Sequence, residues 1–301
     1  MTKHPLRQLM LLLFFFLLIK SLWAGDMNRL GFEKMIHMDV QKAGCNVEVY
    51  VNGIPTRHSI LKQPFSSLPV HPFLIDGENE IEVVVNPGLT PTQSRQGSKE
   101  MDTTGMEVKA QLVKYPPNVF PGEGEGEILA NLAWKGQANT KIAFPKVIST
   151  KVNLGKVFGE WGWQKAEKIN LNPAEIQGIV AYLKVFHEAL SNGDGNKVLE
   201  LVKFRFDENG RAFPTVDRKK EELGFVKTIE NFKKKYPDWK MLPLDPEFFD
   251  FRVVAGGRMV EIINKDWQPT IRGTYTFHGK KEEYPYRLFL SKIKGKWVVV
   301  R

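Results

Sequence analysis

A single cysteine, Cys45, stands in this chain of 301 residues. One thiol rules out an intrachain disulfide and a zinc site built from several cysteines. Catalytic signatures are missing as well. There is no G-x-S-x-G elbow, no H-E-x-x-H helix and no phosphate-binding G-x-x-x-x-G-K-[ST] loop. Of the six histidines, His4 falls in the extreme N-terminal segment, and the other five are scattered without metal-ligand spacing. Charge of one sign is not concentrated either. The formal excess is +9, from 43 basic and 34 acidic side chains, and no basic run is longer than Lys233-Lys234-Lys235. A nucleic-acid binder gathers its charge on one face and interleaves aromatics, so no such partner is expected. No cofactor is expected. The acidic stretch GEGEGE (122–127) lacks the spaced ligand pattern of a calcium loop and reads as a turn, so no metal is expected.

Long apolar runs are also few. The one that exists is Leu9–Ile19, preceded by Lys3 and Arg7 and followed by the small residue Ala24. Its length is short for a membrane span and suits a secretory signal peptide over residues 1–24, cleaved after Ala24. An uncleaved N-terminal anchor is the alternative, and the mature chain should hold no integral span. The expected location is the periplasm or the exterior. Cys45 lies too far beyond Ala24 to be a lipoprotein cysteine. In the stretch CNVEVYVNG it shares the parity of Val47, Val49 and Val51, so it should point into a core as a small hydrophobe.

Residues 32–154 read as short strands and turns. Val47, Val49 and Val51 alternate with Glu48 and Tyr50, which gives one buried and one outer face, and Asn52-Gly53 follows as a hairpin signal. Ile81, Val83 and Val85 alternate in the same way, as do Val108, Ala110 and Leu112; ILANLAW, TKIAFP and VISTKVNL supply more strands. This half is expected to be an all-β sandwich. The stretch FLIDGENEIEVVVNP within it resembles a strand pair of jelly-roll or galactose-binding-like sandwiches, which bind sugars or proteins or simply pack. Residues 155–171 read as a linker. It carries Trp161 and Trp163, either as a binding platform for sugar or protein or as glue between domains.

From 172 the period changes to helical. Asn172-Pro173-Ala174-Glu175 is a helix start and Asn192-Gly193 a stop, with Ile176, Val180, Leu183, His187 and Leu190 on the apolar stripe between them. Helices near 195–204 and 217–235 come next. Strands are expected at 248–254, 257–263, 270–278, 284–291 and 296–301, completing an α+β unit over 172–301. This order, ending in GKWVVVR, resembles the nuclear-transport-factor-two-like cone superfamily, which includes SnoaL-like domains. The resemblance implies a curved sheet wrapped around the long helix, leaving a pocket. In such a pocket His187 would be the base, Asp250 its orienting carboxylate, and Arg272 and Tyr275 further wall residues. The cone also serves as a protein-binding module, and fold alone does not choose between these uses.

Two domains and no catalytic motif favour an exported, non-catalytic protein-binding protein. The pattern is similar to immunity proteins that neutralise secreted bacterial effectors. The alternatives are a small-ligand enzyme or binder using His187 and Asp250, and an envelope carbohydrate-binding module using Trp161 and Trp163.

Overall fold

The computed structural model describes residues 35–59, 64–116, 119, 121, 124–213 and 217–301. The apolar run and Ala24 lie outside these residues. Among the described residues strand predominates, with three α-helices in the second half. Among the described residues no helix is long and apolar enough to cross a membrane.

In the N-terminal half, β1 (Met35–Ala43), β4 (Phe65–Pro69), β7 (Glu107–Tyr115) and β8 (Glu127–Lys135) form one antiparallel sheet in the order β4-β1-β7-β8. A second sheet, β10-β5-β2-β3, is built from β2 (Val47–Val51), β3 (Ile54–Ser59), β5 (Glu78–Val85) and β10 (Lys146–Asn153). A short pair, β6 (Lys99–Asp102) with β9 (Lys141–Phe144), completes this half. The expected hairpin joins β2 to β3. Asn52 and Gly53 both have positive φ, at 53° and 71°, as a tight two-residue turn requires. The alternating apolar residues of both sheets meet in one core: Met38 and Val40 from β1, Val47 and Val49 from β2, Val83 from β5 and Leu112 from β7. Each buried valine or leucine contributes about 1.5–3 kcal/mol relative to exposure. Cys45 joins this core, its Sγ 3.5 Å from the Glu107 carbonyl, and burial pushes its thiol pKa up.

The second half opens with α1 (Pro173–Asn192), α2 (Gly195–Ala212) and α3 (Arg218–Lys235). Asn172 caps α1 by accepting the Glu175 amide at 2.9 Å, and Gly193 ends it in the left-handed region. Two antiparallel sheets follow. One has the order β11-β14-β15, from β11 (Lys240–Met241), β14 (Ile271–Phe277) and β15 (Lys280–Tyr286). The other has the order β12-β13-β16-β17, from β12 (Phe249–Val254), β13 (Met259–Asn264), β16 (Leu288–Ile293) and β17 (Lys296–Val299). The run read as one strand over 284–291 is therefore two. It breaks at Arg287, where the chain passes from the sheet of β14 to the sheet of β13. Ile179, Leu183, Phe186 and Leu190 of α1 pack with Val260, Ile262 and Leu290, filling the space between helix and strands.

A third apolar cluster belongs to both halves. Ile54 from β3 meets Trp161, Trp163, Val254, Met259 and Phe289. Trp161 is fully buried and donates its indole N–H to the Leu74 carbonyl at 2.6 Å; Arg211 and Arg301 lie over its ring. Asp76 fixes the approach to this tryptophan by accepting the amides of Val157, Phe158 and Gly159 at 2.7–3.0 Å. These backbone bonds hold the Asp76 carboxyl below the usual carboxylate range.

Candidate functional site

Among the described residues no hydrogen bond or ion pair joins those nominated from the cone resemblance to one another. His187 is half-buried on α1. Its Nε2–H donates to the Leu242 carbonyl at 2.7 Å, and Nδ1 lies 3.5 Å from the Ser191 hydroxyl. Asp250 stands on β12, in a different sheet from Arg272 and Tyr275 on β14. Its carboxylate accepts the Thr92 amide at 2.8 Å and the Thr92 hydroxyl, both from the N-terminal half. It is committed to that contact and does not orient His187. Arg272 pairs with Glu283 at 3.3 Å. Tyr275 is buried among Phe232, Tyr236 and Trp239, with its pKa raised by burial. Trp161 and Trp163 are both buried, at 0% and 5% exposure, so neither offers a ring face to a sugar or a partner. They act between the halves. Among the described residues no group of three or more His, Cys, Asp or Glu is placed to hold a metal ion.

Two other constellations emerge. The first is a buried charge network on the outer side of β2. The alternation assigned Glu48 and Tyr50 to the outer face, and outer they are with respect to the sandwich core. The second half of the chain covers them, leaving 0% and 3% exposure. Arg252 from β12 sits against Glu48 Oε1 at 2.6 Å and Glu261 Oε2 at 2.9 Å. It also donates to the Tyr50 hydroxyl, which in turn donates to Glu48 Oε2 at 2.6 Å. Arg287, at the strand break, donates to Glu261 Oε1 at 2.8 Å and to the Thr56 carbonyl. Burial opposes the charge on Glu261, but two arginines outweigh it and its carboxyl sits below its ordinary value. Glu48 meets one arginine, and burial leaves it above its ordinary value. His58 stacks on Trp267 at 4.0 Å; burial, with Arg287 and Arg252 nearby, lowers its pKa to about 4. These charges are matched by one another, which suits a lock between the halves better than chemistry on a ligand.

The second constellation is open. On the outer face of the first sheet, His37, Asp39 and Gln41 of β1 lie beside Pro69, Ser67 and Phe65 of β4. On the other side they face Val113, Gln111 and Lys109 of β7. Between β7 and β8 the register jumps at Leu112/Val113, so that Val113 pairs with Ile128 and Leu129 is the extra residue. This bulge brings Ile128 onto the outer face. Two depressions run across the face and share Gln41, Phe65 and Lys109. The larger, about 930 Å³, extends to Glu107, Trp134 and Lys135; the smaller, about 370 Å³, extends to Asp39, Tyr115 and Glu125. Phe65 and Ile128 are 42% and 57% exposed here, although both are large and apolar. Asp39 is 9% exposed. The Tyr115 hydroxyl donates to its Oδ2, and among the described residues Oδ1 meets no hydrogen-bond donor. His37 stands edge-on to Tyr115 and bonds the Ser67 hydroxyl at 2.9 Å. Burial holds its pKa to about 4, so at neutral pH it adds no positive charge beside Asp39.

Strand period does not reveal this face, because β1 and β4 alternate only weakly. Asp39 in the apolar stretch MIHMDVQ was the one visible signal. No family model matches the chain, and neither a curated protein nor a solved structure does.

Proposed function

We propose that this chain is an exported, non-catalytic binding protein of two domains, a β-sandwich followed by a cone-like α+β unit. Its partner is a protein that docks on the outer face of the first sheet. The observation that carries this reading is the pair of contiguous open depressions with Phe65 and Ile128 exposed at their rim. Solvated apolar residues beside a shaped polar groove are what an interaction surface presents. The enzyme alternative asks for His187 beside Asp250 in an open pocket, whereas each is engaged elsewhere and the helix–sheet space is packed. The carbohydrate alternative asks for exposed tryptophans at 161 and 163, which are buried. Secretion rests on the Lys3/Arg7 and Leu9–Ile19 pattern ending at Ala24. In an immunity-type role the docked protein would be a secreted effector, held inactive by occupation of its surface.

The test is a paired capture from envelope and secreted fractions. Wild-type protein, the double variant Phe65→Asp/Ile128→Asp and a control, Leu223→Asp on α3, are each used as bait. Retention of one stoichiometric protein by wild type and control, with its loss from the double variant, is the expected result. Equal retention by all three baits contradicts docking on this face. A captured protein that proves toxic alone and harmless with this chain supports the immunity role.

A further inference from the structure

Helices α2 and α3 treat their lysines differently. On α2, Lys197 pairs with Glu200 and Lys203 with Asp207, each within one turn. Helix α3 carries seven basic residues and three acidic ones, and its acids stand off the solvent line. Val226 and Ile229 are its buried residues, and at about 100° per residue they fix which positions point away from the fold. These are Lys220, Leu223, Gly224, Lys227, Asn231 and Lys234, all exposed, with Leu223 at 60%. Lys220, Lys227 and Lys234 recur at every seventh residue and span about 21 Å. Glu222 turns inwards to Lys203 and Arg218. Glu230 stands within one turn of Lys227 and Lys234, and among the described residues it pairs with neither. At the C-terminal end the row broadens. Tyr236 packs its ring against Tyr275 and Phe277 of β14, so the β14–β15 turn lies beside Lys233–Lys235 and adds the exposed Lys280 and Lys281.

The result is a cationic surface with one protruding leucine. Its aromatic neighbours Phe225, Phe232 and Tyr236 are half-buried, so no exposed ring offers a platform for nucleic-acid bases. A flat layer of negative charge, into which a single apolar side chain can dip, matches it better. We infer that the outward face of α3 docks on an anionic lipid bilayer, with its lysines at the headgroups and Leu223 below them. Leu9–Ile19, as signal peptide or anchor, brings the chain to a membrane. The face shares no residue with the docking face of the first sheet, and the inference goes beyond that reading.

The experiment is co-sedimentation of the full chain with vesicles of phosphatidylcholine alone and of an equimolar mixture with phosphatidylglycerol. The N-terminal apolar segment is common to every variant, so the differences between variants carry the result. Stronger sedimentation with the anionic vesicles, weakened by added salt, is expected. A lysine at an anionic surface is worth about fivefold in affinity. Lys227→Gln/Lys234→Gln/Lys235→Gln should therefore weaken binding to anionic vesicles on the order of 100-fold. Lys99→Gln/Lys141→Gln/Lys156→Gln, with the same change in net charge, should leave it within about twofold. Glutamine keeps the helix propensity of lysine, and Leu223→Asp, expected to weaken binding about tenfold or more, gives an independent reading. Equal binding to both kinds of vesicle overturns the inference, as does equal weakening by the two triple variants. So does displacement of the chain from anionic vesicles by a DNA duplex at equal phosphate concentration, which would make the face a nucleic-acid interface.

Discussion

Asp39 and Glu48 make an instructive pair. Each is a buried carboxylate in a β-strand of the same half, and each accepts a hydrogen bond from a tyrosine hydroxyl. There the likeness ends. Glu48 lies under the second half of the chain and is answered by Arg252, itself shared with Glu261 and supported by Arg287. Asp39 lies on an open face and has no ion pair among the described residues. The outer surface of one sheet has thus been used up in joining the two halves, while the outer surface of the other retains an unmet carboxylate and two exposed apolar side chains. A closed network reports on architecture; the docking face is proposed on the incomplete side.

The largest effect should come from breaking the closed side. Arg252→Met leaves Glu48 buried without its cation and Glu261 with one arginine instead of two. A loss of about 3–5 kcal/mol in denaturant unfolding is expected, partly restored by adding Glu48→Gln. Acid should act next. His37 and His58 have pKa values of about 4, against 6.5 in the unfolded chain. Below pH 6.5 the unfolded chain takes up protons at these sites while the folded chain does not. Stability contributed by the neutral imidazoles is complete above pH 6.5 and falls as the pH drops towards 4, by a few kcal/mol in total. Thermal unfolding across this window checks it, and His58→Asn should flatten the slope. Thr92→Ala, which removes the hydroxyl donor to Asp250, should cost about 1 kcal/mol. The smallest effects belong to the open side. Phe65→Asp/Ile128→Asp should change stability by no more than about 0.5 kcal/mol per site. Asp39→Asn should be tolerated better than Arg252→Met, because it removes a charge that nothing in the described fold neutralises.

Much of the architecture was legible in the residues. The parity of Cys45 with Val47 placed the thiol in the core, and Asn52-Gly53 gave the hairpin. Asn172 and Gly193 marked the ends of α1, and the helix-then-strand order was plain. These are local signals, set by period, caps and turns. What escaped was non-local. Lys99–Asp102 carries no strand period of its own and pairs with Lys141–Phe144, which is distant in sequence. The second helix was expected to end near 204 and runs to Ala212, through polar residues such as Glu208 that find partners elsewhere in the fold. Glu48 looked like an outward-facing member of an alternating strand, since strand period reveals two faces but not what covers each. His187 and Asp250 had suitable chemistry, yet nothing in their spacing could show that Thr92 occupies the carboxylate. The open face was the least visible, for it is assembled from four strands of which two carried little pattern.

The most direct test of the contrast between the two surfaces is the affinity of a captured partner for the wild type and for Phe65→Asp/Ile128→Asp, measured by calorimetry alongside their unfolding midpoints. Binding abolished at an unchanged midpoint is the predicted result. Binding retained by the double variant would contradict the account and move the interaction away from the first sheet.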